Sequence, residues 1–232
     1  MSVSHTRFAR TICLIVLLCA IGCAKRRQRE QAVFARPDNE HVLAIVVDLS
    51  GSFAGLMAED GKAYEFVLDV IDHYFRNRIG RDDKLIIAQI SASDPLLWEG
   101  RPLDLRREFR SAADFRDFLL AEADPRASYV YDGMHATLEY LMSDPAVHAG
   151  RTQSALLVLS DLVDTGPDPG DRARRLLHSL TDYGACGGIV GLYYVATPRQ
   201  AKWRKALRDA GLREYRVESE IVGKPQLPNF EQ

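Results

Sequence analysis

From His41 onward, short unbroken apolar runs alternate with longer segments whose apolar residues recur at helical spacing. Val42-Leu43-Ala44-Ile45-Val46-Val47 is continuous and rich in β-branched residues, the pattern of a strand buried on both faces. Ala63, Phe66, Val67, Val70, Ile71, Tyr74 and Phe75 then follow the helical period over several turns. Leu85-Ile86-Ile87-Ala88-Gln89-Ile90 predicts a second buried strand. Leu96 to Leu105, broken by Gly100 and Pro102, suits a short pair of edge strands better than a central strand. Phe115, Phe118 and Leu119 mark a helix that stops near Asp124-Pro125, and Met134, Leu138, Leu141 and Met142 mark another that ends at Asp144-Pro145. Ala155 to Leu159 and Ile189 to Val195 read as further buried strands. Between them Ala173, Leu176, Leu177 and Leu180 predict a helix. Trp203, Ala206, Leu207 and Ala210 form a last helical stripe capped by Gly211, and a final strand is expected from Glu214 to Val217.

Strands that alternate with helices of this length imply a doubly wound α/β fold: a mostly parallel central sheet, helices on both faces, and one short antiparallel edge strand. In such sheets ligands bind outside the carboxyl ends of the strands, at the topological switch point. Candidate chemistry therefore belongs in the loops that follow the buried strands.

The first buried strand ends in Asp48-Leu49-Ser50-Gly51-Ser52, an Asp-x-Ser-x-Ser sequence. Another ends in Leu159-Ser160-Asp161 and presents a second carboxylate. Between them Ser128 precedes Tyr129-Val130-Tyr131-Asp132-Gly133-Met134 at the entry to a helix. Oxygen ligands drawn from several loops suit a hard divalent cation such as Mg2+ or Ca2+. Taken singly, Ser50 or Ser52 reads equally well as a helix cap, and Asp48 alone says nothing. As an ordered set, these residues resemble the metal-ion-dependent adhesion site of von Willebrand factor A (VWA) domains, and the resemblance spans roughly residues 41–217. Ser128 stands where that family usually has Thr, which preserves the hydroxyl. The resemblance implies that Asp48, Ser50, Ser52, Ser128 and Asp161 hold a divalent cation, Mg2+ first, with Mn2+ and Ca2+ as alternatives. It also implies that the cation takes an acidic residue from a partner protein.

Other residues are expected to be structural. Asp164 and Asp168, near Gly166-Pro167, read as a solvated loop; Arg172, Arg174 and Arg175 with Asp171 read as a solvated helix face. Asp132 suits holding the geometry of a helix start, and Asp94 is a candidate for contact through water. The histidines show no metal-ligand spacing, and Tyr193-Tyr194 reads as strand packing. Cys186, beside Gly187-Gly188, reads as a small buried apolar residue.

The first 23 residues differ in character. Arg7 and Arg10 precede an apolar stretch from Thr11 to Ala24, which has the length of a signal peptide and is short for a membrane span. Ala20-Ile21-Gly22-Cys23 resembles a bacterial lipobox, which implies lipidation at Cys23, although the usual Leu is replaced by Ala20. Against this, Lys25-Arg26-Arg27 and Arg29 follow at once, and positive charge tends to stay cytoplasmic. An uncleaved anchor or a cytoplasmic-facing domain therefore remains an alternative. The expected organisation is a signal peptide over 1–23, a polar tether over 24–40, the VWA-type domain over 41–218 and a tail over 219–232. The expected location is a bacterial cell envelope, on the periplasmic face or the cell surface.

Composition narrows the function further. With 47% apolar and 27% charged residues, the chain can bury a sizeable core. Its formal charge of −2 gives no electrostatic reason to expect nucleic acid as a partner. An enzyme of the haloacid dehalogenase type also keeps an Asp at its first strand end, but it wants a second carboxylate two residues on, where this chain has Ser50. There is no phosphate-binding P-loop either. The expected function is a binding module without catalysis; the alternatives are a structural envelope protein with a silent metal site and, behind it, a metal-assisted phosphohydrolase.

Overall fold

The computed structural model describes residues 40–78, 83–90, 95–123, 128–219 and 225–226. The chain divides into two units, Met1–Asp38 and Asn39–Gln232, and the described residues all belong to the second. The signal-like segment with Cys23, nearly all of the tether, and Asp94 therefore lie outside the described residues. Among the described residues, no helix is long and apolar enough to cross a membrane.

In chain order the elements are β1 (His41–Val47), α1 (Lys62–Arg78), β2 (Lys84–Gln89), β3 (Leu96–Gly100), α2 (Pro102–Glu108), α3 (Ala112–Ala121), α4 (Val130–Met142) and the single turn α5 (Pro145–His148). They continue with β4 (Gln153–Leu159), α6 (Pro169–Ala185), β5 (Ile189–Val195), α7 (Gln200–Asp209) and β6 (Tyr215–Ser219). The six strands form one sheet in the order β3-β2-β1-β4-β5-β6. Every neighbouring pair is parallel except β2 and β3. This is the mostly parallel sheet with one antiparallel edge strand that the apolar runs predict.

β1 shows why its sequence carries no polar alternation. Val42, Ala44 and Val46 point into a core shared with α4, α6 and α7. Leu43, Ile45 and Val47 point into a second core shared with α1, α2 and α3. Successive side chains of a strand leave opposite faces, so helices on both sides require both sets to be apolar.

Two expectations about the strands need correction. The segment after Leu96 forms one edge strand instead of a pair, because Pro102 opens the helix α2. Proline at the first turn of a helix lacks only an amide that would be orphaned anyway, so the residue expected to interrupt a strand starts a helix here. The last strand also begins and ends later than expected, at Tyr215 and Ser219.

β5 departs from simple alternation at its end. Tyr193 and Tyr194 are consecutive yet both pack in the α1-side core, beside Phe53 and Phe66. Tyr194 has φ of 62°, and the β5–β6 register shifts between Leu192 and Val195. A bulge of this kind turns the chain by one residue's phase, and Val195 then returns to the opposite core.

Candidate functional site at the strand ends

The chain leaves β1 toward β2 on one side and later returns to β4 on the other, so the switch point lies between the ends of β1 and β4. The Asp48 amide donates to the Leu159 carbonyl at 2.9 Å, which sets the loops after these two strands side by side.

Asp48 is fully buried and lies at the centre of the cluster. Its Oδ1 accepts the Ser50 amide at 3.0 Å, a local turn that folds the Asp-x-Ser-x-Ser loop back over the strand end. Its Oδ2 accepts the Ser128 hydroxyl at 3.3 Å and the Ser160 hydroxyl at 2.6 Å. Ser50 Oγ and Ser52 Oγ stand 3.4 Å apart. Ser52 lies close enough to the Asp161 carboxylate to favour its charged form. The five residues singled out in the sequence thus meet at one place: Ser50 and Ser128 are buried beside Asp48, while Ser52 is exposed and Asp161 is partly exposed.

The electrostatics follow from this packing. Burial raises the Asp161 pKa above its ordinary value. The Val163 amide, which donates to Asp161 Oδ1 at 2.8 Å, opposes the shift, and the neighbouring charge of Asp48 reinforces it. Ser52 and Arg199 pull the other way. A fully buried carboxylate and a half-buried one, surrounded by hydroxyls, form an all-oxygen donor set. Such a set fits Mg2+, Mn2+ or Ca2+ better than a soft metal. The Ser128 and Ser160 hydroxyls both donate to Asp48, which leaves the lone pairs of Ser128 available to an electrophile, while Ser160 uses one of its own on the Leu162 amide.

Several residues of this region carried no usable signal in the sequence. Ser160 is fully buried, donates to Asp48 and accepts the Leu162 amide at 2.8 Å. Thr165 pins the Ser128 loop, since its amide donates to the Ser128 carbonyl at 2.9 Å and its Oγ1 accepts the Ser128 amide at 3.0 Å. Arg172 and Asp164, expected to be solvated, are instead buried as an ion pair, with side chains 6% and 4% exposed. Arg172 reaches Asp164 at 2.8 Å and Asp132 at 2.7 Å, and Asp164 Oδ1 accepts the Tyr131 amide at 3.3 Å. Together these contacts brace the start of α4, and with it Ser128. Asp132 holds the helix start as expected. Gly133 completes the brace: a Cβ there would stand 2.5 Å from the Ile90 carbonyl, so only glycine lets α4 close against the end of β2.

No family model matches the sequence, and no curated protein does. Solved structures do match. One, described as von Willebrand factor type A from Catenulispora acidiphila, superposes with a TM-score of 0.52 at 15% identity, over 78% of this chain and 38% of that one. The fold is that of a VWA domain. A second neighbour, manganese-loaded TRAP protein of Plasmodium vivax, gives a TM-score of 0.53 at 11% identity, over 79% of this chain and 70% of that one. In this VWA fold Asp48, Ser128 and Asp161 arise from three different loops, each of them placed by a buried strand or by the braced start of α4.

The opposite edge of the sheet holds a different group. The register pairs Val42 with Lys84, which sets His41 across from Asp83. One donor atom from each of Glu40, His41 and Asp83 lies within 4.8 Å of the other two. No histidine spacing in the sequence signals this group, because its members come together only through strand pairing.

Proposed function

We propose that this chain is a metal-ion-dependent protein-binding module of the adhesion type. Asp48, Ser50, Ser52, Ser128 and Asp161 hold a divalent cation, Mg2+ first with Mn2+ or Ca2+ as alternatives. The bound cation supplies an electrophilic centre for a carboxylate from an acidic residue of a partner protein. The reading rests on one observation, the meeting of these five residues around the buried Asp48 carboxylate. It calls on no nucleophile and no general base, so the module binds without turnover. Cys23 anchors it, as a lipid-bearing residue, at a bacterial cell envelope.

Two measurements test this. Titration calorimetry with Mg2+ and Mn2+ should give binding to the wild-type chain and none to Asp48→Ala, and capture of a partner from an envelope extract should disappear in EDTA. Capture that persists in EDTA defeats the proposal. For the anchor, Cys23→Ser should move the protein from the membrane to the soluble fraction.

A second reading draws on the same cluster. Asp48 already accepts an amide and two hydroxyls, so the loops hold together without an ion, as a metal-silent structural envelope protein would require. Absence of heat and of any melting shift with either cation would favour this reading, since a ligand that binds the folded state raises stability with its concentration.

A further inference from the structure

At the far end of β1 from Asp48, Asp83 immediately precedes β2 and is fully buried. Its Oδ1 accepts the His41 amide at 3.1 Å and lies 3.2 Å from His41 Nδ1. Its Oδ2 has no hydrogen-bond partner among the described residues. A buried carboxylate oxygen without a donor is costly to leave in place unless a cation or a proton meets it. Glu40 is exposed and His41 is partly exposed, so the group opens to solvent on that side.

We propose that Glu40, His41 and Asp83 form a second divalent-cation site, of the zinc class, at the amino-terminal edge of the sheet. One imidazole and two carboxylates, with donor atoms mutually within 4.8 Å, are near enough for small side-chain rotations to bring them around a single ion at about 2.0–2.2 Å from each. The imidazole separates this site chemically from the all-oxygen cluster. Zinc accepts nitrogen readily, whereas Mg2+ prefers oxygen. The two sites stand at opposite ends of one strand, about 23 Å apart for a strand rising about 3.3 Å per residue, and this proposal does not depend on the reading of the other site.

Calorimetric titration of the full chain with Zn2+, in excess Mg2+ to fill any oxygen-only site, tests the proposal. The expected result is one equivalent of zinc bound, weakened at least tenfold in both His41→Gln and Asp83→Asn and unchanged in Asp161→Asn. Glu40→Gln alters an exposed side chain and provides the same test should either buried-edge variant fail to fold; a several-fold loss of zinc affinity is expected. Cobalt substituted for zinc should show visible absorption bands in the wild type that His41→Gln removes. Absence of zinc binding, or zinc binding equally strong in His41→Gln and Glu40→Gln, overturns the proposal. Loss of zinc binding in Asp161→Asn together with retention in His41→Gln would also overturn it, by assigning the ion to the other end of the strand.

Discussion

Each end of β1 carries a fully buried carboxylate, and the two are satisfied in opposite ways. Asp48, at the carboxyl end, accepts hydrogen bonds on both oxygens, from one amide and two hydroxyls. Asp83, beside the amino end, directs one oxygen at His41 and leaves the other without a donor among the described residues. Asp48 is thus held in place by its neighbours before any ligand arrives, as a site that must present a fixed geometry requires. Asp83 depends on whatever meets its second oxygen. Burial alone therefore does not reveal what a carboxylate is for; the count of its donors does.

Substitutions should separate the two ends. The largest effect is expected from the brace behind Ser128: Arg172→Ala strands the buried Asp164 charge and should lower stability by roughly 3 kcal/mol, read from the urea midpoint. Asp48→Ala leaves two hydroxyls and an amide without their acceptor and should cost about 2 kcal/mol. Ser160→Ala removes one short bond to Asp48 and the acceptor of the Leu162 amide, for about 1 kcal/mol. Asp83→Asn, measured in chelator, should change stability by less than about 1 kcal/mol, because the amide oxygen still accepts from His41 and no donor to the second oxygen is lost. If Asp83→Asn proves as damaging as Asp48→Ala under those conditions, the contrast between the two ends fails. The smallest effect concerns pH. The folded pKa of Asp161 lies above its unfolded value near 3.8, so the folded state binds the extra proton. Stability of the metal-free chain from this group is greatest below that value and declines as pH rises through the folded titration. Asp161→Asn should flatten that decline in melting curves recorded across pH.

The part of the site legible in the sequence is the part written locally. Asp48, Ser50 and Ser52 sit within one five-residue segment after an unmistakable apolar run, and Asp161 follows another. Ser128 is recognisable from the helix start beside it. The buried brace was illegible for the opposite reason. Arg172 meets Asp132 across 40 positions, and among Arg172, Arg174 and Arg175 nothing marks which one turns inward. A helix of seventeen residues must bury one face, and Arg172 falls on it near Leu176 and Leu180. His41 and Asp83 were equally hidden, because a contact across 42 positions appears only once strand register is known. Pro102 was read as an interruption because its two roles, breaking a strand and opening a helix, look alike without the fold.

The kink at Tyr194 has a consequence for the candidate site. By seating two successive aromatic rings on one side, it reverses the sidedness of everything that follows in β5. The Ala196 amide then meets the Asp161 carbonyl at 3.1 Å, and Arg199 comes within electrostatic reach of the Asp161 carboxylate. Deleting a single residue there would swap inside for outside along the strand's exit and swing that arginine away. The charge environment of the third loop is thus tuned by a backbone irregularity on the neighbouring strand, one that a glycine would adopt with less strain but without the ring that fills the core.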